Sequence, residues 1–251
     1  MKKLIQLLAA GLLLAGCASA KPTAAPEPSS SGKHGCDAFE ECGSTSTTTT
    51  TEEKGVFKQE YEALNGTANK SGKIHRTITI PEDHPFVLVT PEDIVEKLEN
   101  KESFWVYFGD PKCPWCRSVL EVAVDKAKEY NVTEILAIDI WDQDGKEILR
   151  DKYELQDGKP VKTGEGTEAY QVFLKEFGPV LEDYELEDDN GTRVLVEGEK
   201  RIYAPTFIHV VNGTAVKSAQ GFSDKQEDPR EELTEELLAD EKAIFDKLFK
   251  E

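Results

Sequence analysis

Five apolar or aromatic residues in succession, Phe104-Trp105-Val106-Tyr107-Phe108, run into Gly109-Asp110-Pro111-Lys112 and then into Cys113-Pro114-Trp115-Cys116-Arg117. A half-exposed strand would alternate polar and apolar residues, so this run predicts a central strand covered on both faces. After Cys113 the period becomes helical. Cys116, Val119, Leu120, Ala123, Ala127 and Tyr130 share one face, with Arg117, Glu121, Asp125 and Lys128 largely on the other. Pro114 suits the first position of a helix, which makes Cys113 the expected N-cap. A thiolate at that position faces the unpaired N–H groups and the positive end of the helix, which lowers a cysteine pKa.

A C-x-x-C pair is also half of a zinc site. His34, His75, His84 and His209 form no pair at ligand spacing, so no metal is expected. A second marked stretch is Tyr203-Ala204-Pro205-Thr206-Phe207-Ile208-His209-Val210-Val211-Asn212-Gly213-Thr214. Its proline is either a cis residue at a fixed position or an ordinary trans residue opening a strand.

Cys113-Pro114-Trp115-Cys116 after a buried strand, followed in order by the Ala204-Pro205 strand, resembles the active site of the thioredoxin-like family. The resemblance spans roughly Phe86 to the C-terminus. It implies an α/β domain with a thioredoxin-like fold, a central mixed sheet with helices on both faces. The activity implied is thiol–disulfide exchange through a mixed disulfide, in which Cys113 attacks and Cys116 resolves. Trp115, Ala204 and a cis Pro205 would bind substrate, and the Cys113–Cys116 disulfide would serve in place of any cofactor. The family usually has a buried acid six residues before the first cysteine, with an accompanying lysine. Here Tyr107 and, near the lysine's place, Ala137 stand instead, so slower resolution or another base is expected.

At the other end, Lys2 and Lys3 precede the apolar run Leu4 to Leu14, too short to span a membrane. Leu14-Ala15-Gly16-Cys17 resembles the bacterial lipobox, implying a signal peptide at 1–16 and lipidation of Cys17. Cleavage near Ala18-Ser19-Ala20, giving a soluble secreted protein, is the alternative. Residues 17–55, rich in Ala, Pro, Ser and Thr, are expected to form a flexible tether. Within it, Cys36 and Cys42 have a spacing that suits a local disulfide or a relay to Cys113. The expected location is the outer face of the bacterial cytoplasmic membrane.

Residues 56–251 form the expected domain. An N-terminal elaboration, 56–85, offers Phe57, Tyr61 and Leu64 as a short helical stripe and Ile74, Thr77, Ile78 and Ile80 as an edge strand. Thr90-Pro91-Glu92-Asp93 starts a helix after the Phe86-Val87-Leu88-Val89 strand, and Ile135 to Ile140 is another buried strand. Residues 142–203 contain an insertion. It predicts a helix through Tyr170, Phe173, Leu174, Phe177 and Leu181. It also predicts a hairpin joining Val194-Leu195-Val196 to Arg201-Ile202-Tyr203 across 197–200. Leu186 to Glu197 nearly matches a calcium loop, but Leu186 occupies the first ligand position, so an acidic turn is expected. Asn212-Gly213 predicts a hairpin. Leu233, Leu237, Leu238, Ile244, Phe245 and Leu248 make the stripe of a last helix.

The formal charge is −19, and −21 once Lys2 and Lys3 are removed. Phosphate contacts need clustered Lys and Arg, so nucleic acid is excluded as a partner and membrane attachment falls to lipid. The function expected is a membrane-tethered extracytoplasmic thiol–disulfide oxidoreductase acting on cysteine-containing exported proteins, with a membrane electron-transfer thiol partner. The alternative is a non-catalytic accessory lipoprotein that serves as a binding platform, for example in peptide or bacteriocin export. Retention of Cys113, Cys116 and Pro205 favours the enzyme.

Overall fold

Three parallel strands, Phe86–Leu88 (β1), Phe104–Gly109 (β2) and Ile135–Asp139 (β3), form one side of a five-stranded sheet in the computed structural model. The structure describes residues 45–141 and 146–250, with side chains from Glu52 onward. The expected signal peptide, Cys17, Cys36 and Cys42 lie outside these residues. Thr206–Val211 (β8) and Thr214–Ala219 (β9) complete the sheet, each antiparallel to its neighbour, in the order β1-β3-β2-β8-β9. The chain is thus α/β with a mixed sheet.

Helices cover both faces. Thr45–Glu62 (α1), Pro114–Glu129 (α3) and Glu235–Phe249 (α5) pack on one side, where Phe57, Tyr61, Val119, Ala123, Phe245 and Leu248 meet Tyr107, Ala137 and Phe207 of the strands. Pro91–Glu99 (α2) and Glu168–Phe177 (α4) pack on the other. There Ile94, Leu98, Phe173 and Phe177 meet Val106, Phe108, Leu136 and Ile138. Alternate residues of β2 therefore enter opposite cores, which is why its sequence shows no polar face.

Several expectations need correction. α1 begins at Thr45, inside the 17–55 stretch expected to be a tether. Phe57 and Tyr61, one turn apart and buried, fix the helix on the core, and a helix once nucleated extends backward at small cost. No strand forms over Ile74 to Ile80; only an isolated bridge joins Ala68 to Ile74. Side chains satisfy that backbone instead: Asn65 pairs with both the N–H and the C=O of Ile78, and Glu62 accepts from the N–H of Ile80. Arg117, assigned to the solvent face of α3, is fully buried.

The insertion also differs. Arg193–Arg201 (β7) runs unbroken through the expected 197–200 turn and pairs with Glu182–Glu187 (β6). The turn lies at Asp188, whose carboxylate accepts from the N–H groups of Asn190 and Thr192. A second hairpin, beyond those expected from the sequence, pairs Lys152–Gln156 (β4) with Lys159–Gly164 (β5). Its signal was present: Asp157-Gly158, both at positive φ, is a two-residue hairpin turn. At Asn212-Gly213 the same geometry closes β8 to β9 as predicted.

Candidate functional site

At the end of β2 the chain turns through Asp110, whose carboxylate accepts from the Lys112 N–H at 2.9 Å while its carbonyl accepts from the Cys113 N–H at 3.0 Å. This turn delivers Cys113 as the N-cap of α3, with Pro114 in the first turn and an extended backbone at the cap (φ −71°, ψ 120°). Both cysteines are free thiols, Cys113 half-buried and Cys116 completely buried one turn on. Cys113 Sγ lies 3.3 Å from the Ala204 carbonyl oxygen, and the Ala204–Pro205 peptide is cis. The antiparallel pairing of β2 with β8 sets Phe108 opposite Thr206. It thereby brings together two segments about ninety residues apart. Trp115 packs on Phe222 with ring centroids 4.5 Å apart. Trp115, Tyr203, Ala204 and Phe222, together with residues of the β6–β7 hairpin, line a groove of about 680 Å³.

The two thiols are electrostatically unequal. The Cys113 pKa is lowered, first by a hydrogen bond from Cys116 and then by the N–H groups of Cys116 and Trp115, against burial and the Asp110 charge. Burial pushes the Cys116 thiol well above its usual value, and its hydrogen bond to Cys113 adds to the effect. At Cys113, hydrogen bonds at the helix start lead, as the N-cap position implies, while the Arg117 guanidinium is engaged by other groups. Its five hydrogen bonds go to the carbonyls of Tyr61, Pro111 and, twice, Arg76, and to the Asn65 amide oxygen.

Sequence reasoning missed two groups here. Tyr61 of α1 places its hydroxyl 2.9 Å from that of Tyr107, beneath Cys116. Glu60, Asp110 and Asp139 line a cavity of about 270 Å³ with Pro111, Lys112 and Trp141. Burial, then the charges of Glu60 and Asp110, pushes the Asp139 carboxyl up to about 8. Asp139 is legible only as the end of a buried strand; its register opposite Gly109 is what brings it to the site. Among the described residues, no group of three or more His, Cys, Asp or Glu is arranged to hold a metal ion. No helix among them is long and apolar enough to cross a membrane.

Compared with known proteins, the sequence matches no family model and no curated protein.

Proposed function

We propose that this chain is a thioredoxin-like thiol–disulfide oxidoreductase working through Cys113 and Cys116. The observation that carries the reading is the Cys113 thiol at the N-cap of α3, 3.3 Å from the Ala204 carbonyl, with Cys116 buried one turn behind it. The sheet order, with three parallel strands and two antiparallel ones and the dithiol after the central strand, fits the fold that the motif implies.

The exchange follows from the unequal thiols. The Cys113 thiolate attacks one sulfur of a substrate disulfide, forms the mixed disulfide and expels the other sulfur as a thiolate. Cys116 then attacks the Cys113 sulfur, closing Cys113–Cys116 and releasing the second substrate thiol, its own proton compensating that thiolate. Run backward, the same steps oxidise a substrate dithiol. No cofactor is required, since the reduced Cys113/Cys116 dithiol carries the two electrons and the disulfide accepts them in the reverse direction. The groove beside Trp115, Ala204 and Pro205 would receive the polypeptide flanking the substrate cysteine.

The substrates proposed are cysteine-containing exported proteins, and a membrane thiol partner would reset the pair. The chain would stand at the outer face of a bacterial cytoplasmic membrane through lipid on Cys17, with Cys36 and Cys42 bonded to each other. Purified protein should reduce insulin with dithiothreitol as electron source, and Cys113→Ser should abolish that activity. A wild-type protein with an alkylatable Cys113 but no turnover on any protein disulfide would leave a binding platform instead.

A further inference from the structure

The buried ground beneath Cys116 is made of phenols. Tyr107, Tyr61 and Cys116 are each 1% exposed or less. Tyr107, Tyr61 and Cys116 pack in one buried cluster, in which the Tyr107 hydroxyl meets the Tyr61 hydroxyl at 2.9 Å and acts electrostatically on the Cys116 thiol as a hydrogen-bonding neighbour. The placement is closely held. Tyr107 lies against Phe86 and Phe207, with ring centroids at 5.3 and 4.7 Å, and Phe57 packs 4.7 Å from Tyr61. The Tyr107 ring crosses the backbone at Gly109, where a Cβ would stand 2.2 Å from its hydroxyl oxygen. Arg117, the residue after Cys116, donates to the Tyr61 carbonyl at 2.8 Å and so ties α1 to the dithiol helix.

We infer that Tyr107 is a catalytic residue of the resolving step, donating a hydrogen bond to the Cys116 thiolate as it forms, and that Tyr61 is the positioning residue that keeps Tyr107 a donor. The inference rests on the dithiol function proposed above. In the mixed disulfide, Cys116 must shed its proton inside a dry core, where burial opposes any charge. A donor preorganised at the sulfur stabilises that charge with no reorganisation at the moment of attack. With Tyr61 donating to the Tyr107 oxygen, the Tyr107 proton is left for the sulfur, and linked donors strengthen one another. Burial holds both phenols well above the usual tyrosine range, so both stay protonated wherever a thiol can titrate. The other charges acting on this cluster are Cys113, Asp110 of the preceding turn, Asp139 of β3 and Arg117. The balance is that of ordinary resolution. The Cys116 proton ends on the departing substrate thiol, the Cys113–Cys116 bond forms, and the bond from Cys113 to the substrate sulfur breaks.

The test uses the full chain carrying Cys17→Ser, Cys36→Ser and Cys42→Ser, reduced and mixed with the symmetric nitrothiobenzoate disulfide. The first release of coloured thiolate reports attack by Cys113, and the second reports resolution by Cys116. Tyr107→Phe is expected to slow the second release about tenfold at neutral pH and to raise its pH midpoint by about one unit. The first release should stay within about twofold. Tyr61→Phe, which leaves the Tyr107 ring in place, should shift the midpoint in the same direction by less. Thermal unfolding of each variant separates a folding defect from a slow step, and Tyr61→Phe alone decides the matter should Tyr107→Phe not fold. An unchanged second release and midpoint in the folded variants would overturn the inference. Because this reagent needs no protein substrate, failure of the oxidoreductase reading would show separately, as no turnover on insulin by the wild type.

Discussion

Arg117, directly after Cys116, donates at 2.8 Å to the main-chain carbonyl of Tyr61, so the residue pair spans the junction between α3 and the N-terminal helix. The guanidinium is fully buried and also bonds the carbonyls of Pro111 and Arg76. What reads as a solvent-facing cation in a helical wheel is the clamp of residues 61–78. Replacing it by leucine would leave buried carbonyls without donors.

Arg117→Leu is therefore expected to lower unfolding stability by on the order of 3 kcal/mol, read from urea titration. Arg117→Lys should recover only a small part, since an ammonium cannot reach four oxygens with a planar fork. A variant within about 0.5 kcal/mol of wild type would mean the clamp is dispensable.

The unequal thiols predict selective chemistry. At neutral pH, iodoacetamide should modify Cys113 at least about tenfold faster than Cys116 in the native protein, with the gap closing in denaturant. Cys113 alkylation should titrate below the usual cysteine range in a Cys116→Ala variant only as far as the helix N–H groups allow, because the Cys116 hydrogen bond is the leading cause of the shift. Mass mapping after a timed quench measures both. Equal labelling would contradict the geometry.

A stabilised Cys113 thiolate favours the reduced form, and the neutral Tyr107 adds no opposing charge. The reduction potential should then fall between about −270 mV and about −120 mV, measured by equilibration of the pair against glutathione. A value at or below the lower bound would show that the burial of Cys116 outweighs the hydrogen bonds at Cys113.

Glu241 and Asp139 should make stability pH-dependent. Burial pushes both carboxyls up to about 8, and neither Glu241 oxygen has a hydrogen-bond partner among the described residues. Unfolded, both ionise near about pH 4. Between about pH 4 and 8 the folded chain keeps protons that the unfolded chain has lost, so stability falls as pH rises through that window and levels off above it. Glu241→Gln should gain on the order of 1–2 kcal/mol at pH 8 to 9 and almost nothing at pH 4. Urea midpoints across this range test the sign, and a pH-independent difference between variant and wild type would refute it.

The dithiol, its helix and the strand before it could be read from residues 104–130 because each signal is local: an unbroken apolar run, a proline at the first helical turn, a 3.6-residue stripe. The β8–β9 hairpin was legible for the same reason, since Asn212-Gly213 states its own turn. Asp157-Gly158 and the Asp188 turn were equally local, and a closer reading of turn chemistry would have placed β4, β5 and β6. The phenol pair, the Arg117 clamp and the Glu60–Asp110–Asp139 cluster were not legible. Each joins residues from separate elements, and no local period reports which polar group will find a partner across a core. Sheet register decided them: β2 between β3 and β8 sets Gly109 beside Asp139 and Phe108 opposite Thr206, and α1 packed on that face sets Tyr61 against Tyr107. The residues that can do thiol chemistry were thus determined by the sequence. Which groups surround the buried sulfur, and so how readily it gives up its proton, was decided only by tertiary packing, because desolvation and hydrogen bonding act over a few ångströms of space and not along the chain.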